Sequence, residues 1–497
     1  MHDVVIVGAG PVGLLLACEL GLAGCSVMVL EREPRASSPF KSDPLGIRGL
    51  SSGSVEAFYR RGMLQPLLEA SNVKEYPGPM RGAAHFAGIL LDPNQVDFDS
   101  LPFRLPSPAP EGILTNMAAV ESVLAERAIQ LGVGIRRGAP VSAITQTGHG
   151  VVARAGDHDY AARWLVGCDG GRSIVRKLAG FDFVGTEPQF TGYVVLGAIA
   201  DPEKLRFGFN LTPNGMYLRT GGEKYIGMMD FDGGAYDRSQ QPTREHLQSV
   251  LRRISGTDVS LTDVEQATTF TDRAMQVTTY QRGRVFLAGD AAHIHSPLGG
   301  QGLNSGIGDA LNLGWKLAAT VLGHAPDGLL DSYTVERHPI GQQVVDWTRV
   351  QVAVMRPDAH SQAIQRLVRT LITTGAGTTE VFSHLEDMTG LALRYDLGDA
   401  SPLIGRNVPE FRLQDGTRLG DLMHDGRGVL LDFTPDRRLH TTVADRQDQI
   451  RYVGSPARDD LDLDAVLIRP DGIIAWTGDD ATFDDAVSRW FGKPASA

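Results

Sequence analysis

Three short stretches of the chain combine residue types and spacings that can support chemistry. The first is Gly8-x-Gly10-x-x-Gly13, placed directly after the run Val4–Val7 and at the start of a helical pattern opening at Pro11. The first glycine permits a tight turn, the second lets a pyrophosphate approach the backbone, and the third lets helix and strand pack closely. Helix N-terminal N–H groups then favour the anion. Glu31, followed by Arg32, ends the next strand about 20 residues on, where a carboxylate can accept hydrogen bonds from ribose hydroxyls. This is the spacing of a dinucleotide site. The second stretch is "VFLAGDAAHIHSPLGGQGLNSGIGDALNLGWKL", Val285 to Leu317. A hydrophobic strand runs into Gly289-Asp290, a loop with His293, His295 and Pro297, a glycine-rich turn from Gly299 to Asn304, and a helix. An acidic residue and so much bare backbone imply that something lies against that backbone. The third is "CDGGRSIVRK", with Asp169, Gly170 and Arg172 between a strand and a helix.

Other chemistries find little support. There is no G-x-S-x-G, H-E-x-x-H or Walker A motif, and no second strand–GxGxxG–helix unit to hold a nicotinamide cofactor. His293 and His295, at i and i+2 without Cys or carboxylate partners, do not make a metal site, so none is expected. Cys18, Cys25 and Cys168 are too few and too scattered for a disulfide framework and read as core residues. The formal net charge of −12 is spread along the chain and argues against nucleic acid. No apolar run reaches the roughly 18 to 20 residues of a membrane span. The apolar start lacks a basic leader and carries the glycine motif, so it does not read as a signal peptide. The expectation is a cytoplasmic protein without membrane or nucleic-acid partners.

The elements that must position these residues follow from periodicity. With 497 residues, 42% hydrophobic, the chain has room for two or three domains. Residues 3 to 31 read strand, glycine turn, helix, strand. Helices are expected from Ser52 to Gly62 and from Ala118 to Leu131, with Pro- and Gly-rich loops and short strands between them. Residues 186 to 275 alternate as a largely antiparallel sheet inserted between Rossmann-type pieces, with one helix near 243 to 254. After Leu317 the chain is helical to about Leu393, and Asp309 inside the first of these helices is expected to be solvated or to pack. "YDLGDASPLIGRNVPEF" marks a boundary, and the last hundred residues read as a small α/β module.

"GRVFLAGDAAH" resembles the flavin-contacting segment of class A (single-component) flavoprotein monooxygenases, the p-hydroxybenzoate hydroxylase-like family. The resemblance implies non-covalent FAD, with Asp290 on the ribityl hydroxyls and Pro297 beside the flavin. The backbone of Gly299, Gly300, Gln301, Gly302, Leu303 and Asn304 would then face its N1/C2=O edge. A helix N-terminus near Asn304 would stabilise negative charge at N1. The Asp169-Gly170 segment resembles the family's Asp-Gly motif, assigned to FAD and pyridine nucleotide. "HIHSPLGGQGLNSGIGDALNLGWKL", "GLLDSYTVERHPIG" and "VLIRPDGIIAW" look like the aromatic polyketide hydroxylases of angucycline and tetracycline pathways and the related rifampicin monooxygenases, over nearly the whole chain. Two positions depart from that pattern. Asp43 stands where the subfamily has an Arg or Lys contacting FAD, leaving Lys41 or Arg48 as substitutes. Met117 stands where it has Gln, so that ribityl contact is lost or passes to Asn116.

The implied fold class is α/β with α+β elements. A Rossmann-type FAD-binding domain (1–185 and 276–395) carries an inserted, mostly antiparallel substrate sheet (186–275). A thioredoxin-like C-terminal module (400–497) has no cysteine, which excludes thiol redox chemistry and leaves a structural or dimer-supporting role, separable from flavin chemistry. The implied activity is hydroxylation of a phenolic, polycyclic polyketide-type aromatic through a flavin C4a-hydroperoxide, with NADPH or NADH as co-substrate. Phe207, Phe209, Tyr217, Met228 and Met229 are the expected pocket residues, and the protein is expected to be a monomer or homodimer. Baeyer–Villiger or antibiotic-inactivating oxygenation by the same cofactor, and a redox-silent flavin-binding protein, stand as alternatives.

Overall fold

The computed structural model describes residues 1–72, 85–100, 105–219, 224–398, 401–458, 463–478 and 480–492. Its centre is a sheet in which five strands run parallel. They lie in the order Val285–Leu287, His158–Gly167, His2–Val7, Val27–Glu31 and Gly134–Arg137. Val4, Val5 and Ile6 are wholly buried because helices cover both faces, which is why this strand reads as an unbroken apolar run. Helix Pro11–Leu22 crosses between the first two strands and is apolar nearly all round, as an internal helix must be. Helices Met117–Gln130 and Gln301–Leu322 complete the packing around it.

A second sheet of five antiparallel strands is ordered Gly208–Thr212, Gly215–Arg219, Tyr225–Asp230, Thr191–Ile199 and Leu261–Thr271. Helix Arg244–Ser255 covers one face with Leu247, Val250, Leu251 and Ile254. The other face meets the helix Asp331–Met355 and a hairpin of His85–Phe86 with Ile89–Leu90. That hairpin comes from the loop-rich region ahead of the inserted sheet, and it roofs the sheet. A three-stranded sheet of Phe183–Thr186, Ala274–Val277 and His293–Ile294 joins the two bodies beside the Gly289-Asp290 turn.

Helices Ala359–Ile372 and Gly375–Thr389 lead to a four-stranded sheet of Ile450–Gly454, Gly428–Asp432, Ala465–Ile468 and Ile474–Thr477, closed by helix Phe483–Phe491. Its core is continuous with Trp315, Leu329 and Ile340 of the preceding body. Buried charges cross the same boundary. Arg469 donates to both oxygens of Glu336 at 2.9 and 2.8 Å, and Lys316 pairs with Glu336 at 2.9 Å. Arg61 donates to Glu19 and to the carbonyl of Pro470. The module thus has structural work to do: it seals charges and apolar surface belonging to the helices that carry the site. Among the described residues, no helix is long and apolar enough to cross a membrane, and no three His, Cys, Asp or Glu cluster to hold a metal.

Candidate active site

The glycine motif divides into packing and access. Gly8 has φ +110°, and a Cβ there would lie 2.4 Å from the Cys168 carbonyl oxygen; a Cβ on Gly13 would lie 2.1 Å from the Gly8 carbonyl oxygen. Both positions exclude a side chain because backbone occupies the space. Gly10 has nothing within 4 Å of an added Cβ and lines the main cavity with Pro11. Glu31 is not among the residues lining that cavity; its carboxylate accepts from the N–H of Ala9 at 2.7 Å and of Glu33 at 2.8 Å. It holds the loop's shape, and each carboxylate oxygen keeps a further lone pair. Arg32 is exposed and pairs with Glu33, away from the loop.

The Gly289-Asp290 turn is fixed from beneath. The N–H of Gly289 donates to Asp309 at 2.9 Å, and the same carboxylate takes hydrogen bonds from His293 Nε2 at 2.8 Å and Arg337 Nε at 2.7 Å. Arg337 also donates to the Ser305 carbonyl and to Tyr395. Of the two roles its helix position allows, solvated or packed, Asp309 takes the second: it is wholly buried. Burial alone would raise its pKa, but the Arg337 charge and the hydrogen bonds from Arg337 and His293 outweigh it and hold the carboxyl below the usual range. His293 is thereby structural. Asp290 is the opposite case: exposed, at the cavity wall, with no hydrogen bond or ion pair among the described residues.

The helix after the glycine turn begins at Gln301, three residues before the expected Asn304, because Gly299 (φ +80°) and Gly300 (φ +68°) both take left-handed geometry and turn the chain into it. Its first-turn N–H groups, which lack intrahelical partners, lie where Gly300, Gln301, Gly302 and Leu303 line the cavity. Two polar side chains of this turn face inward. Asn304 accepts from Ser51 N–H at 2.9 Å and donates to the carbonyls of Gly49 and Gly300. Gln301 donates to the Gly299 carbonyl and accepts from Thr389. Both shape the turn.

Asp169 caps the short helix Ile174–Leu178, accepting from Ser173 and from the N–H groups of Ile174 and Val175, while Gly170 faces the cavity. Arg176 ties this loop to the Gly289 turn by donating to the carbonyls of Gly171 and Ala291, a link between segments distant in sequence. Asn116 caps helix 117–130 through Ala119 N–H and donates to Asp43, so both ends of its amide are engaged. Met117 is the neighbour that lines the cavity. Lys41 pairs with Glu121 at 2.6 Å, which leaves Arg48 as the cation of this loop on the cavity wall.

These segments open into one cavity of about 790 Å³ that continues across the antiparallel sheet. Phe209 and Met229 line it as expected, with Met216, Leu218, Tyr225 and Phe270; Met228 borders it too, but lies opposite Tyr217 and packs in the core under helix 244–255. Two expected residues do not. Phe207 is 69% exposed outside it. Tyr217 turns to the opposite face, packs in the core under helix 244–255, and accepts from Arg206 N–H. Strand alternation decides this: with Met216 and Leu218 on the cavity side, Tyr217 must point away. His85, on the roofing hairpin, had no signal in the sequence beyond being a histidine in a loop-rich region.

Comparison with known proteins returns the same architecture. A family profile described as FAD binding domain matches residues 1–348, and one described as aromatic-ring hydroxylase, C-terminal, matches residues 401–494. A monooxygenase of Claviceps purpurea is 44% identical over 504 residues, covering 100% of this chain and 98% of the relative. A rifampicin monooxygenase of Streptomyces venezuelae is 38% identical over 512 residues, covering 99% of each. The solved structure of an anhydrotetracycline hydroxylase from Streptomyces rimosus superposes with a TM-score of 0.86 at 34% identity, covering 99% of this chain and 100% of that one.

Proposed function

The chain belongs to the FAD-dependent aromatic-ring hydroxylases, and from that premise we propose that it uses NAD(P)H and O2 to hydroxylate a polycyclic, polyketide-type phenol. The observation carrying this reading is that one cavity is walled at one end by Gly10, Asp290 and the Gly300–Leu303 backbone and at the other by an apolar sheet. The residues present fit FAD: added Cβ atoms at Gly10 and Gly300 would meet only open space, and the Asp290 carboxylate faces the cavity without a protein partner. FAD, when bound, supplies oxygen activation and transfer.

The protein's own work is placement and exclusion of water. Gly10 and the start of helix 11–22 receive the pyrophosphate, and Glu31 accepts from the ribose. Asp290 accepts from ribityl hydroxyls. The first-turn N–H groups of helix 301–322 would stabilise negative charge on a ring bound against them. Pro297, Gly299 and Gly300 would border the ring, and Phe209, Met216, Leu218, Met229 and Phe270 keep the substrate end apolar. We assign residues 1–185 and 276–395 to the FAD-binding body, 186–275 to the substrate sheet, and 400–497 to a thioredoxin-like module that supports it. A cytoplasmic monomer or homodimer completes the reading.

NADPH oxidation by the FAD-loaded protein, followed with a panel of polycyclic phenols including anhydrotetracycline and rifampicin, tests it. A phenol that stimulates oxidation and gains one oxygen atom supports the proposal; a panel without stimulation counts against it. The similarity to a rifampicin monooxygenase favours a second reading, oxygenation that inactivates an antibiotic, and loss of antibacterial potency in the product separates the two.

A further inference from the structure

The hairpin that roofs the cavity is held more firmly than a surface loop requires. Its turn residues Ala87 (φ +51°) and Gly88 (φ +74°) are both left-handed, the geometry of a type I′ turn, and Ala87 adopts it despite its side chain. Such backbone persists where the surroundings over-determine it, and it concentrates at functional sites. Here the anchors are buried. Ala87 N–H donates to the fully buried Gln351 at 3.0 Å, Phe86 packs edge-on against Trp347 at 4.8 Å, and Gly88 rests against Leu211. Phe86 points into that core, so alternation directs His85 to the cavity, where its ring lies 4.2 Å from Phe209.

We propose that His85 binds an oxygen substituent of the aromatic substrate, its Nε2–H donating to a phenolate or carbonyl oxygen and thereby setting which way the ring lies in the cavity. This rests on the hydroxylase reading above and names a specificity residue within it. Nδ1 accepts from the Gly88 N–H at 3.4 Å, which places the ring proton on Nε2. Nε2 has no hydrogen-bond partner among the described residues, and Phe209, the ring that packs against it, offers no acceptor. Burial lowers the imidazole pKa to about 4, so the ring is neutral at physiological pH. A neutral donor on an apolar wall suits a ring oxygen: it orients the substrate without demanding a counter-charge.

The test uses the FAD-loaded, oxidised protein without NADPH, titrated with 1-naphthol and with naphthalene while the flavin absorbance is followed. Replacing a neutral hydrogen bond changes affinity by about 2- to 13-fold. The naphthol-over-naphthalene preference is expected to fall by roughly 5-fold in His85→Phe and to recover in His85→Gln, whose amide also donates. Recovery in H85Q is an outcome that a purely structural histidine would not give. An unchanged preference in H85F, or in His85→Ala should the phenylalanine variant fail to fold, overturns the proposal, as does absence of naphthol binding to the wild type. NADPH consumption is measured separately. A protein that discriminates naphthol through His85 but consumes no NADPH with any phenol keeps this assignment and loses the hydroxylase reading. One that hydroxylates with an unaltered preference in H85F loses the assignment alone.

Discussion

Asp309→Ala removes the carboxylate that three donors share: Gly289 N–H, His293 Nε2 and Arg337 Nε, all within 2.9 Å. Arg337 is 1% exposed and would be left as a buried charge without its counter-ion. Breaking one side of such a pair costs about 3 to 5 kcal/mol, because the remaining charge has lost water and partner alike. At about 1.4 kcal/mol per tenfold change, that raises the opened population by more than a hundredfold. The opening is not random in location, since the lost bond to Gly289 frees the turn that carries Asp290. Urea unfolding of the FAD-loaded and FAD-free protein, with flavin retention after gel filtration, measures both consequences. D309A is expected to lower the unfolding midpoint and shed FAD together. Asp290→Ala, at an exposed carboxylate without a partner, is expected to weaken FAD retention with a nearly unchanged midpoint. Replacing both buried partners, as in Asp309→Leu with Arg337→Met, is expected to recover part of the stability of D309A. A D309A protein with wild-type midpoint and full FAD would refute the reasoning.

Gly8→Ala and Gly13→Ala are expected to yield little folded protein, since each Cβ meets a carbonyl oxygen under 2.5 Å away, whereas Gly10→Ala folds and loses FAD affinity; circular dichroism and flavin fluorescence would show equal behaviour of all three if the division is wrong. Removing residues from 401 onward exposes Trp315 and Ile340 and takes Arg469 from Glu336, so the truncated protein is expected to aggregate or lose flavin, and a soluble yellow truncation would contradict this. Acid stability follows Glu336. Burial alone would raise its pKa, but Arg469 and Lys316 outweigh that and hold it at about 2, below its ordinary 4.5. Its contribution is thus fully present above pH 4.5 and lost as pH falls toward 2, and Glu336→Gln should flatten that limb of the stability profile. Lys316 moves the other way, down to about 8, because burial exceeds the attraction of Glu336. It titrates far above the acid limb, which Glu336 shares with Asp309, the other buried carboxyl held low.

The sequence made the three flavin motifs legible because each is local: a glycine turn flanked by a strand and a helix is contained in about ten residues. The expected helices near 52–62, 118–131 and 243–254 appear as Ser52–Arg60, Met117–Gln130 and Arg244–Ser255, for the same reason. What escaped was decided by partners far along the chain. Asp309 reads as a solvated or packing helix residue, and nothing local in the sequence points to Arg337, which pairs with it. The side chains of Asn304 and Gln301 give no sign in the sequence of the partners, Ser51 and Thr389, that shape the turn whose backbone lines the cavity. Tyr217 was lost to a parity that cannot be assigned before the strand's buried face is known. His85 lies in a two-residue strand, too short to carry any periodic signal.

The most direct test of the central claim is a turnover under O2 enriched in the heavy oxygen isotope, with FAD-loaded protein, NADPH and the phenol that best stimulates its oxidation. If one cavity presents flavin and aromatic ring to each other, the product carries one heavy oxygen atom, and it is made only when FAD and NADPH are both present. Product oxygen drawn from water, or product formed equally without NADPH, would contradict it.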